Sequence, residues 1–138
     1  MEEYIKNIDL QKVSMQTLAF IGDAVHNLYI KMYLSSISNE KTGKLHIESI
    51  KYISAAGQAK VIDNILNDLS EEEINIYKRG RNTNIQNVSK NVDVVRYKKA
   101  TGFEALIGYL YLTKNINRLE EIIKKSIEIT NMEVSNGR

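Results

Sequence analysis

The chain contains no cysteine, no proline and no tryptophan, and only two histidines in 138 residues. Without cysteine there is no disulfide framework, no thiol nucleophile and no cysteine-ligated zinc or iron–sulfur centre. The two histidines, His26 and His46, are too few for a multi-histidine metal site. No apolar run approaches the ~20 residues that cross a bilayer. The amino terminus, MEEYIKNIDL, is acidic and polar rather than signal-like, so a cytoplasmic protein is expected. The missing prolines bear on fold, because proline marks loops and strand edges. With only seven glycines as well, the sequence fits helices joined by short polar links. No stretch alternates apolar and polar residues for long enough to form a strand.

What is present suits one globular domain. A mass of 15.8 kDa, with 43% hydrophobic and 26% charged residues, can bury a single core and is not the composition of a disordered chain. A single domain over residues 1–138 is expected, with a core over about 14–130 and a polar tail at 131–138. Ser14 is a candidate N-cap for a helix reaching about Leu34, with Leu18, Ile21, Val25, Leu28, Tyr29 and Met32 in one stripe. The opposite face holds Phe20, Asp23, Asn27, Ile30 and Leu34, so this helix is apolar on two sides and reads as central and buried. Further helices are expected over about 44–54, with Leu45, Ile50 and Ile53 inward, and over about 58–69. Ser70 with Glu73 forms a capping box opening a helix to Lys78, and the Glu71–Glu73 run suits a helix N-terminus. Residues 80–95, rich in Asn and Ser, read as a loop. Helical spacing returns from Arg96 to Thr113, and a second capping box, Asn117 with Glu120, predicts a last helix near Arg118–Ile129. The sum is an all-α domain of about six or seven helices.

The formal net charge of +2 is unevenly spread. Between Lys78 and Lys99 seven basic residues face one acid, a local +6, leaving −4 on the rest of the chain. Such a strip suits a polyanion, since each phosphate contact by Lys or Arg releases a condensed counterion. A solvated basic loop without a partner explains the charge equally well.

Two acids lie in apolar helices: Asp23 within FIGDAV and Glu104 within FEALIGYLYL. A buried, unpaired carboxylate costs several kcal/mol or more, so each needs a cation, strong hydrogen bonds or a raised pKa. Small neighbours (Gly22, Ala24, Thr101, Ala105, Gly108) leave space beside both. Two carboxylates with few other ligands suit Mg²⁺, which keeps several waters and often takes one or two acids plus substrate phosphate. Structural alternatives stand beside this: Asp23 paired with a lysine or capping a helix, and Glu104 in a salt bridge with Arg96 or Lys98.

The motifs add what periodicity does not. LAFIGDAV at 18–25 and FEALIGYLYL at 103–112 resemble the two signature helices of the ribonuclease III family. KLHIESIKYISAAGQA at 44–59, KRGRN at 78–82, SKN at 89–91 and RYKKATGFEALIGYLYL at 96–112 resemble Mini-ribonuclease III, its short catalytic-domain-only branch. The resemblance covers roughly residues 14–130, and it implies a ribonuclease III-like endonuclease fold without a double-stranded-RNA-binding domain. It also implies Mg²⁺-dependent hydrolysis of double-stranded RNA by a homodimer, leaving 5′-phosphate and 3′-hydroxyl ends. The branch is associated with maturation of precursor 23S ribosomal RNA. Asp23 and Glu104 match the family's metal-binding acids and thereby its catalytic residues. Gln16 and Thr101 stand where full-length relatives carry two further acids, so one Mg²⁺ per subunit is expected, with Mn²⁺ able to replace it and Gln16 and Thr101 as outer residues of the site.

The basic strip would then grip RNA through Lys78, Arg79, Arg81, Asn82, Lys90, Asn91 and Arg96, by shape and phosphate contacts across the shallow minor groove. Ile47 stands where the branch would have a basic residue. His26 reads as a hydrogen-bonded structural residue, His46 as a contact to RNA or the dimer partner, and Tyr109 and Tyr111 as core or interface. Two other readings remain at this level: a non-catalytic RNA-binding protein on the same helical frame, and an all-α nucleotide pyrophosphohydrolase using Glu71–Glu73.

Overall fold

The computed structural model describes residues 1–83 and 93–135. Among these residues seven α-helices follow one another: α1 Glu2–Lys6, α2 Met15–Ile37, α3 Thr42–Ile53, α4 Ala55–Ile65, α5 Glu71–Arg81, α6 Val94–Leu112 and α7 Ile116–Ser135, with a 3₁₀ turn Leu66–Asp68 after α4. There is no strand among the described residues, and the all-α expectation holds.

Side-chain caps fix where several of these helices begin. Ser14 Oγ accepts the Thr17 amide at 3.0 Å and Ser54 Oγ the Gly57 amide at 3.1 Å. The Ser70–Glu73 capping box is complete: Glu73 N donates to Ser70 Oγ at 3.1 Å, and Ser70 N to Glu73 Oε1 at 2.8 Å. Asp93 Oδ1 accepts the Arg96 amide at 3.2 Å, so α6 opens at Val94, inside the stretch that composition assigns to a loop. Arg81 likewise ends α5 rather than lying in that loop.

The bundle is organised around α6, whose Phe103, Ala105, Leu106 and Ile107 are wholly inaccessible. α2, α4, α5 and α7 all pack against it. The main core joins Val25, Ile62, Ile65, Tyr77, Phe103, Leu106, Leu110, Leu119 and Ile122. Each such side chain contributes roughly 1.5–3 kcal/mol by leaving water.

The α2–α6 crossing is close enough to exclude side chains. A Cβ on Gly22 would lie 1.7 Å from the Glu104 carbonyl oxygen, and one on Gly108 2.0 Å from that of Leu18. The two backbones therefore touch, with each glycine facing the other helix. A second tight crossing sets α5 on α6, where a Cβ on Gly102 would lie 2.6 Å from the Tyr77 carbonyl oxygen.

Several expectations need correction. α2 is central but not buried all round: Phe20, Leu28 and Met32 are 80%, 57% and 50% exposed, because α6 covers only one side of it. On α3 the buried residues are Ser49 and Tyr52, whereas Ile50 faces solvent. α1 had no signal in the periodicity, since five residues are too few to show one. α7 begins at Ile116, so Asn117 lies within its first turn and does not cap it. It also runs on to Ser135: Thr130 is buried, and Asn131 accepts from the Tyr52 hydroxyl at 2.6 Å and donates to the Tyr33 hydroxyl at 2.9 Å.

Candidate active site

The glycine-mediated crossing decides where the two acids meet. Asp23 follows Gly22 on α2, and Glu104 lies opposite on α6, so the carboxyl groups come within hydrogen-bond reach of each other. Asp23 is exposed rather than buried, which corrects the reading of two sunken acids; Glu104 is half-buried. Burial pushes the Glu104 carboxyl up from its ordinary 4.5 to about 8, and the hydrogen bond and charge of Asp23 push the same way. Among the described residues neither acid has an ion pair: Arg96 reaches Asp93 at 4.0 Å, and Lys98 makes no ion pair with either acid. The structural alternatives for both acids thus lose their partners. Among the described residues the two carboxyl groups face each other with no cation paired to either, and burial, then the neighbouring Asp23, raises the proton affinity of Glu104.

Neighbouring amides hold the pair in place. Asn27, one turn along α2, donates from Nδ2 to Asp23 Oδ1 at 3.2 Å and to the Asp23 carbonyl at 2.9 Å. Gln58 on α4 directs Nε2 to Glu104 Oε2 at 3.5 Å and to His26 Nδ1 at 3.0 Å. His26 is buried edge-on against Phe103, at 5.1 Å between ring centres. Burial pushes its imidazole down from 6.5 to about 4, against the opposing pull of the Asp23 charge. It is neutral near neutral pH and is no proton donor to solvent there.

An open cavity of about 440 Å³ lies over the acids, lined by Gln16, Ala19, Phe20, Asp23, Tyr97, Thr101 and Glu104. The two outer residues expected from sequence, Gln16 and Thr101, are thus brought together with Asp23 and Glu104. Thr101 Oγ1 donates to the Tyr97 carbonyl at 3.0 Å. Gln58, Asn27 and Tyr97 were not singled out by the sequence. Gln58 did carry a signal: it occupies a core position of the α4 stripe shared with Val61, Ile62 and Ile65, where an amide needs a partner.

The basic residues divide. Lys78 and Arg79 are exposed near the end of α5, the helix whose Gly80 packs against Gly102 and the Thr101 carbonyl of α6, and Lys78 lines a separate cavity with Glu71, Glu72, Ile74 and Asn75. Arg81 stacks over the Tyr77 ring at 5.6 Å and donates to Asn82 Oδ1 at 3.1 Å. Arg96 is exposed on the first turn of α6. Lys90 and Asn91 lie outside the described residues.

The Ribonuclease III domain family matches residues 16–115. Mini-ribonuclease 3 of Streptococcus pneumoniae is 46% identical over 123 residues, covering 88% of this chain and 96% of that protein. Mini-ribonuclease 3 of Clostridium tetani is 43% identical over 129 residues, covering 93% and 85%. The crystal structure of a Fusobacterium nucleatum protein superposes with a TM-score of 0.79 at 33% identity, covering 87% of this chain and 96% of that one. With the facing acids at a glycine crossing and these matches over most of its length, the chain belongs to the ribonuclease III family, in its Mini-ribonuclease 3 branch, and is an endoribonuclease.

Proposed function

We propose that the chain hydrolyses double-stranded RNA with Mg²⁺ held by Asp23 and Glu104. The observation that carries this reading is the uncompensated carboxylate pair under an open, polar-lined cavity. Among the described residues no group of three or more His, Cys, Asp or Glu is placed to hold a metal ion. A cation here would rest on two carboxylates, water and substrate phosphate, a donor set that fits Mg²⁺, with Mn²⁺ able to replace it. When bound, the ion supplies Lewis-acid stabilisation of the charge that develops on the phosphate. The residues of the chain do the rest. Asp23 and Glu104 hold the ion, and Asn27 and Gln58 fix their carboxyl groups. Gln16 and Thr101 line the place where phosphate and water meet.

Lys78, Arg79, Arg81, Asn82 and Arg96 serve as backbone contacts, extended by Lys90 and Asn91. A-form RNA is read largely by shape, so cations and amides on α5 and α6 suffice for grip. The chain acts as a homodimer, supported by an apolar row on α2 (Phe20, Ala24 and Leu28) that is left exposed among the described residues. Precursor 23S ribosomal RNA is the proposed substrate, from the resemblance to the branch, and the products carry 5′-phosphate and 3′-hydroxyl ends. No helix among the described residues is long and apolar enough to cross a membrane.

The test is incubation of duplex RNA, including a precursor 23S fragment, with Mg²⁺ with and without chelator, followed by mapping of the ends. Cleavage is expected only with the metal. Asp23→Asn is expected to abolish cutting while retaining RNA binding; continued cutting by the pure variant overturns the metal role.

A further inference from the structure

We propose that Gln58 is a positioning residue for Glu104, itself oriented by His26, so that this buried amide sets how tightly the site holds its cation. The inference rests on the metal-site reading above and adds residues on α4 and on the inner face of α2 that the facing acids alone do not include.

Gln58 is 2% exposed and His26 1% exposed, so neither amide nor ring can exchange its partner for water. Both groups that face the Gln58 amide, His26 Nδ1 at 3.0 Å and Glu104 Oε2 at 3.5 Å, are served by its Nε2 end. With Glu104 ionised, as holding a cation requires, turning the amide over would set its oxygen against the carboxylate, acceptor against acceptor. The two contacts therefore select one amide orientation, and with it the His26 tautomer that leaves Nδ1 unprotonated. The shorter contact to His26 anchors the amide. The longer one reaches the carboxylate and is expected to tighten when Glu104 is charged, since bonds to ionised acceptors are shorter.

His26 is itself built for this one task. It packs edge-on against Phe103, and its Nε2 has no hydrogen-bond partner among the described residues. An unpaired buried polar atom has a cost, typically ~1–3 kcal/mol. A leucine or phenylalanine would fill the same apolar place without that cost. What the imidazole supplies that they lack is the acceptor at Nδ1. Outer partners of metal-binding side chains fix ligand orientation, and their loss commonly costs about 10–100-fold in metal affinity.

The test uses the full chain and Mn²⁺ alone, counted at equilibrium by the loss of its free electron-spin signal, with no RNA present. Gln58→Met keeps volume and removes the donor. It is expected to weaken Mn²⁺ binding about 10-fold and to raise half-saturating metal for cleavage by the same factor, with kcat at saturating metal close to that of the parent. His26→Phe is expected to shift both in the same direction by less, and the Gln58 side-chain amide resonances are expected to move when Mg²⁺ is added to the parent chain. Parent-like Mn²⁺ affinity in a folded Gln58→Met protein overturns the proposal, as do amide resonances that stay put. Should Gln58→Met fail to fold, His26→Phe and the resonances decide. Glu104→Gln separates the two levels: if it too binds Mn²⁺ as the parent does, the metal site itself is wrong, whereas loss only in Glu104→Gln rejects the role of Gln58 alone.

Discussion

Gly22 lies against the backbone of Glu104 so closely that a methyl group on it would overlap the Glu104 carbonyl oxygen. That contact, made by a residue with no side chain, places the neighbouring Asp23 opposite the Glu104 carboxyl group. The facing of the two acids is thus a consequence of helix packing.

Replacing Gly22 by alanine should therefore harm both stability and activity. The atom in the way is backbone, which cannot rotate aside, so α2 and α6 must separate at a cost of about 3 kcal/mol or more. Urea unfolding measures the loss. At a temperature where the variant is still folded, its cleavage rate should fall well below that of the parent, and a normal rate would show that the spacing of the acids is not set at this glycine.

Metal-free protein should lose stability as pH rises. The Glu104 carboxyl has a folded pKa of about 8 against an ordinary 4.5, so folding favours its protonated form. That contribution is fully present below 4.5, declines from 4.5 to 8 and is gone above 8, on the order of 3 kcal/mol after allowance for partial exposure. In chelator at pH 8, Glu104→Gln should melt at a higher temperature than the parent, with the two converging near pH 4.5. Mg²⁺ should raise the melting temperature of the parent and leave Glu104→Gln almost unchanged.

Glu73 and Arg118 join α5 to α7 through two contacts, 2.8 and 2.9 Å, and Arg118 also donates to the Asp68 carbonyl at 2.7 Å. The Glu73 side chain is 8% exposed, so removing its partner strands a charge. Arg118→Met should cost about 2–4 kcal/mol. The hydrogen bond from Arg118 holds the Glu73 carboxyl below the usual 4.5, so its contribution is present above that pH and lost as the pH falls through the lowered value. A loss under ~0.5 kcal/mol in urea, typical of an exposed pair, would contradict this.

The turn after α6 carries Lys114 at φ 62°, a conformation that favours glycine. Its amide bonds the Tyr111 carbonyl at 3.1 Å, and the Asn115 amide the Leu110 carbonyl at 2.9 Å. Lys114→Gly relieves roughly 1 kcal/mol of strain, against the loss of an exposed ion pair with Glu2 worth less than that. A rise in melting temperature of a few degrees is expected, and a fall would show that the Glu2 contact matters more than the backbone.

On the exposed face of α2, Leu28→Glu should leave the monomer as stable as before, since the side chain is already 57% exposed. Sedimentation should show the parent as a dimer and the variant as a 15.8 kDa monomer. Two monomers, or two dimers, would remove this face from the interface.

Much of this was legible in the linear order of residues. Ser14 and the Ser70–Glu73 box mark helix starts because a cap is a local interaction, spanning three residues. The facing pair Asp23 and Glu104 stood out because each acid interrupts an apolar helix. Local rules failed where a distant partner intervened. Asn117 and Glu120 have the spacing of a capping box, yet the tight turn at Lys114 lets α7 start earlier, and Glu120 instead accepts from the Tyr29 hydroxyl at 3.0 Å. Leu28 and Met32 continue the stripe of Leu18 and Val25, but α6 covers only the inner side of α2 and leaves them outside.

The sequence by itself determined an all-α chain, the two acids, and their family, because periodicity, capping and motif order are properties of neighbours in the chain. Only the tertiary structure decided that Asp23 is exposed, that Gln58 and His26 stand behind Glu104, and that the acids meet with no ion-pair partner among the described residues. Those facts depend on how closely two helices approach, and that distance is set where Gly22 and Gly108 let backbone meet backbone.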